Sequence, residues 1–179
     1  MKAQLALLLT GLLAFSSTLF AEPVEIGGLK STPPKEWIVE KTTSEMRLAQ
    51  FKVPKAEGDK EDAELVIFFF KSGSGSEDDN LARQSKGFEP AEGKEKVESK
   101  TDKVKVGSKE YTVLDLKGTY LSKFPPFAPN PKITKKTDYR QLYVIFKNDS
   151  GEFYFRLLGP AKTVEENKKG FEEFLKNFK

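Results

Sequence analysis

The sequence predicts an α+β domain, a largely antiparallel sheet of about six strands flanked by a short helix and a C-terminal helix. Three observations carry this. Short aromatic or β-branched runs are separated by compact turn-forming clusters, which favours hairpins. A Gly/Ser stretch near the middle ends in a serine followed by three acids, the signature of a helix start. The segment after Thr163 carries an apolar stripe at helical period, and such a stripe needs a sheet beneath it.

Ile38-Val39, after Trp37, begins the first strand. Met46 to Val53 (MRLAQFKV) alternates, with Met46, Leu48 and Phe51 apolar, Arg47, Gln50 and Lys52 polar, and one break of register. It reads as a half-buried strand. The charged turn Pro54 to Asp62 joins it to Ala63–Phe70 (AELVIFFF), whose nearly continuous apolar run suggests a central strand covered on both faces. Ser76 is a good N-cap for a short helix that ends near Gly87, with Leu81, Ala82 and Phe88 marking its buried side. Val97 to Val106 is polar and peripheral. Gly107-Ser108 has the composition of a type II′ turn, and Glu110 to Leu121 is the returning strand. Ser122 to Asp138 holds four prolines and is not regular throughout. Tyr139–Phe146 and Glu152–Leu158 are strands joined by Asn148-Asp149-Ser150-Gly151. Thr163 and Glu166 make a T-x-x-E capping box, and Val164, Phe171, Phe174, Leu175 and Phe178 share one helical face.

Residues 1–21 read as a secretory signal peptide: Lys2 is the one early charge, Leu5 to Leu19 is a short apolar run, and Ala21 precedes the polar Glu22-Pro23. That leaves residues 22–179 as a single α+β domain, periplasmic or secreted, without a spanning segment. The chain has no cysteine and no histidine. Disulfides, thiolate nucleophiles, Cys-ligated metals, imidazole metal sites and the Ser-His-Asp triad are therefore excluded. No S-x-x-K or G-x-S-x-G serine motif replaces them. Losing Lys2 leaves 29 Lys+Arg against 27 Asp+Glu, and the Lys-rich stretch 89–110 balances 6 Lys with 6 acids. No basic stripe suggests a nucleic-acid partner.

Two segments stand out. Ser72-Gly73-Ser74-Gly75-Ser76 lacks both the G-K-[ST] continuation of a P-loop and the G-x-G-x-x-G fingerprint. Glu77, Asp78 and Asp79 would repel an anion there, and as adjacent acids they lack EF-hand spacing. No metal and no cofactor is expected. Asn80 and Arg83, three residues apart on the helix, share a side with this loop and make Ser74, Gly75, Asn80 and Arg83 one candidate contact surface. The other is the loop Phe124–Pro131, where Phe124 and Phe127 are held by prolines. Its rings either form a docking surface or fold back onto the core.

The strand ending in Val53-Pro54, the Gly73–Ser76 turn with Asn80-Leu81-Ala82-Arg83, Asp115–Tyr120, Pro126–Pro129, Tyr139-Arg140 and Gly159–Val164 together resemble a group of small secreted proteins of unknown function from planctomycete-type bacteria. Where similar members carry a Trp after the helix arginine, this chain has Gln84. The element order is also similar to the PsbP-like fold, an α/β/α sandwich on an antiparallel sheet. That resemblance implies an accessory or binding module without catalysis. The expected function is an exported, non-enzymatic binding domain for a protein or small molecule of the envelope. The alternatives are a carboxylate-dependent hydrolase of envelope polymers and an envelope-stability protein without a defined ligand.

Overall fold

Alternation along the aromatic strands divides their side chains between two sheet faces, and the molecule closes those faces unequally. A computed structural model describes residues 22–42, 44–126 and 128–179, so the expected signal peptide 1–21, Thr43 and Phe127 lie outside the described residues. In chain order the elements are β1 (Val24–Ile26), β2 (Leu29–Ser31), β3 (Ile38–Val39), β4 (Arg47–Val53), β5 (Ala63–Phe70), α1 (Glu77–Ser85), β6 (Phe88–Glu89), β7 (Glu98–Val106), β8 (Lys109–Phe124), β9 (Lys132–Asn148), β10 (Gly151–Pro160) and α2 (Ala161–Lys176). β1 and β2 form their own hairpin. The other strands form one eight-stranded sheet ordered β3-β4-β5-β10-β9-β8-β6, with β7 also on the outer edge of β8. Every pairing in it is antiparallel, as the short turns predicted.

One face is sealed by α2. Val164, Phe171, Phe174, Leu175 and Phe178 are all buried, as their spacing predicted, and they meet inward residues of β5, β9 and β10 such as Leu65, Phe146 and Phe155. Phe174 and Phe178 lie edge-on or tilted to Phe155 at 6.3 and 5.7 Å between ring centroids. The helix start differs from the expected capping box. α2 begins at Ala161 with Pro160 at the N-cap, so Thr163 lies inside the first turn. Asp59, from the β4–β5 loop, caps it instead, accepting from Thr163 N at 2.9 Å and Thr163 Oγ1 at 2.5 Å. A cap supplied from 104 residues away leaves no local sequence signature.

The opposite face is covered only in part. α1 and the segment after it lie over Leu114, Leu116, Tyr143 and Tyr154, with Phe88 tucked beneath. Ser76 is the N-cap of α1, as expected, but Ala82 is exposed and Asn80 is the helix residue that is buried. Toward β4 and β5 no helix among the described residues lies above the sheet, and β5 is buried on both faces at Leu65–Ile67 but only half-buried at Phe68–Phe70.

The proline-rich segment proves mostly extended. β8 continues to Phe124 and β9 starts at Lys132, which confines the four prolines to the turn between them. The neighbours stop earlier: β6 pairs no further than Tyr120, and β10 no further than Tyr139. Leu121 N–H still donates to Gly87 O, and outward of it β8 and β9 pair only with each other among the described residues, as a two-stranded ribbon.

Candidate functional site

The ribbon and the uncovered part of the sheet form a groove of about 600 Å³. Its floor follows from strand period. Glu64 and Phe68 point to one face of β5, and Arg156 and Leu158 point to that same face of neighbouring β10. Arg47 of β4 lies directly across from Phe68. Both guanidiniums stand over the Phe68 ring, at 5.7 Å for Arg47 and 5.5 Å for Arg156. They share one carboxylate: Glu64 receives Arg47 Nη1 at 3.2 Å and Arg156 Nη2 at 3.6 Å. Arg156 Nε is buried and has no hydrogen-bond acceptor among the described residues. Two cations against one aromatic ring, with one anion between them, leave a surplus of positive charge and one unused donor.

The far wall carries Lys136, Tyr139 and Glu61. Tyr139 donates to Glu61 Oε2 at 2.8 Å, and Lys136 pairs with the same carboxylate while its ammonium lies 5.2 Å above the Tyr139 ring. Hydrogen bonds from Lys136 and then Tyr139 hold the Glu61 carboxyl below its ordinary value of 4.5. Phe124 and Ser122 reach in from the ribbon, and Phe124 is 75% exposed.

The Gly/Ser loop residues are brought together, but their polar groups are spent on one another. Ser74 Oγ lies 3.1 Å from Asn80 Oδ1 and 2.9 Å from Tyr154 OH. Asn80, 2% exposed, donates to Ser76 O at 2.8 Å and accepts from Arg83 Nη1 at 3.0 Å. Ser74 N donates to Glu152 Oε2, and Lys147 pairs with that carboxylate at 2.8 Å. Burial pulls the Glu152 carboxyl upward, but the bonds from Lys147 and Tyr154 outweigh it and the net shift is downward. Gly75 is exposed at φ +105°, a backbone setting that suits glycine. The loop is thus a brace that ties α1 to β10. Phe124, at the rim of the groove, is not joined to it.

Arg47, Arg156 and Phe68 were not singled out from sequence. The usable signal was a lone arginine inside an otherwise apolar and aromatic strand (EFYFRLL), a charge that must find a partner or an opening. Among the described residues no group of three or more acidic, Cys or His side chains is arranged to hold a metal, and no helix is long and apolar enough to cross a membrane.

No protein-family model matches the chain, and no curated protein matches it. Among solved structures it is similar to the solution structure of cyanobacterial PsbP (CyanoP) from Synechocystis sp. PCC 6803, with a TM-score of 0.50 and 14% sequence identity over 85% of this chain and 86% of that one. The fold is therefore PsbP-like, as its element order had suggested. At that identity the likeness is one of fold.

Proposed function

From a PsbP-like fold with one sheet face sealed by α2 and the other open beside a ribbon, we propose a non-catalytic binding domain that acts outside the cytoplasm and holds its partner in the groove over Phe68. The observation that carries this is the pair Arg47 and Arg156 with a single carboxylate between them and the Arg156 Nε donor unmatched. A buried donor without an acceptor is costly, and an incoming carboxylate would relieve that cost while using the surplus charge. The partner is accordingly one that presents a carboxylate beside an apolar or aromatic group, such as an acidic peptide segment of an envelope protein. The signal-peptide pattern of residues 1–21 supports the location. A hydrolase of the two-carboxylate kind needs one carboxyl held above its ordinary value as general acid. In the groove the Glu61 carboxyl is shifted the other way, which favours binding.

The experiment places a photo-crosslinking residue at Ser122, inside the groove, or at Lys30 on β2, remote from it, in the chain incubated with envelope extract. Adducts form from Ser122 and not from Lys30. Arg156→Gln lowers the Ser122 yield about tenfold, the loss expected for one charge-assisted hydrogen bond. Equal labelling from both positions, or a yield indifferent to Arg156, would refute the groove as the binding site.

A further inference from the structure

We propose that the projecting β8–β9 ribbon is a docking element for an anionic lipid surface. The first observation is charge. From Leu116 to Thr137 there is no acidic residue and there are five lysines, Lys117, Lys123, Lys132, Lys135 and Lys136. Lys117, Lys135 and Lys136 at the base are paired with Asp138, Glu89 and Glu61. Lys123 and Lys132, farthest out, have no acidic partner among the described residues.

The second observation is register. Phe124 lies across from Lys132, and Ile133 lies across from Lys123. Adjacent cross-strand pairs point to opposite faces of a two-stranded ribbon, so each face carries one apolar side chain beside one lysine. Phe124 is 75% exposed and Ile133 51% exposed. A protein partner lying against one side of the ribbon would cover one of them and leave the other in water. The interfacial layer of a bilayer surrounds an inserted tip and covers both, while the lysines stay level with anionic headgroups.

The third observation is the tip itself. Backbone N–H groups entering a lipid interface must give up water, which is costly when they have no partner. Four of the seven residues from Pro125 to Pro131 are prolines, which carry no N–H. The turn is therefore depleted in the donors that would resist insertion. With a tip this small, binding is weak and reversible, and the charge and the apolar groups are both needed.

The test is cosedimentation of the chain with sucrose-loaded vesicles of equimolar phosphatidylglycerol and phosphatidylcholine, set against phosphatidylcholine alone. The chain binds the anionic vesicles and not the neutral ones, and salt releases it. The double variant Lys123→Glu/Lys132→Glu loses at least 25-fold in partitioning, from roughly fivefold per lysine removed. Phe124→Ala/Ile133→Ser weakens partitioning while leaving the salt dependence in place. A Phe124→Trp variant reads insertion directly by a blue shift in emission, because Trp37 is 2% exposed and stays a constant background. Arg156→Gln leaves vesicle binding unchanged, so failure of the groove reading and failure of this one are separate results. No binding to anionic vesicles at low salt, no emission shift, or partitioning unaffected by both double variants overturns the proposal. So does a ribbon that crosslinks to protein while ignoring lipid.

Discussion

Asn80 sits on a helix yet uses both ends of its amide to bond a loop, a neighbouring arginine and the turn before the helix. Replacing it by leucine removes the amide's bonds to Ser74, Ser76 and Arg83 and puts an apolar group against the half-buried Ser74, a loss of about 1–3 kcal/mol. Urea denaturation of Asn80→Leu is expected to show that loss, and a midpoint unchanged from the parent would mean water substitutes for the amide. Glu61 makes a prediction of a different kind, tied to pH. Its carboxyl is held low chiefly by the hydrogen bond from Lys136 and then by that from Tyr139. A depressed carboxylate stabilises the fold above its unfolded value near 4.5 and loses that contribution as pH falls through the lower folded value. Glu61→Gln is therefore less stable than the parent at pH 7 and equal to it in strong acid. The carboxylate is half exposed, so solvent screening keeps the difference within about 1 kcal/mol. Thermal melts at the two pH values check the sign.

Elements show which parts of the molecule are local and which are made by distant contacts. The stripe of α2, the Ser76 cap, β5, and the II′ turn at Gly107 (φ +59°) were legible because each depends on neighbours within a few residues. β1 and β2 were not. Each is three residues long around Gly27-Gly28, and each is held by distant partners such as the Ser31 Oγ bond to Phe174 O at 2.7 Å. The outer part of β9 was hidden by the prolines before it, although Lys132–Thr137 is free of them. The groove was illegible for the same reason as the α2 cap: Arg47 and Arg156 are 109 positions apart, and only strand register sets them over one ring. The Asp59 cap offers the direct test of a distant contact. Asp59→Ala removes the acceptor for Thr163 N and Oγ1. It is expected to cost about 0.5–2 kcal/mol, the range for lost N-caps. Thr163→Ser keeps both donors and costs far less, and equal losses from the two variants would show that packing of the Thr163 methyl is what matters.

At the scale of the whole molecule, the residues that hold the fold are separated in space from those proposed for recognition. Everything that holds the fold is gathered on the α2 side and beneath α1, while the ribbon contributes no buried residue between Ser122 and Thr134 among those described. A segment outside the core can be removed at little cost, since shortening a loop changes closure entropy only slightly. Leu121 and Lys135 are paired across the ribbon, so an Asn-Gly turn joining them closes β8 onto β9 in a type I′ hairpin. The trimmed chain is expected to stay within about 1 kcal/mol of the parent in stability, since none of the described residues it removes is buried. It also loses both the wall that Ser122 and Phe124 give the groove and the lysines of the tip. If the ribbon serves recognition, groove crosslinking from a probe at Met46 and binding to anionic vesicles fall together while the urea midpoint stays. A collapse of the midpoint would instead make the ribbon part of what folds the sheet, and the division of labour between its two ends would be lost.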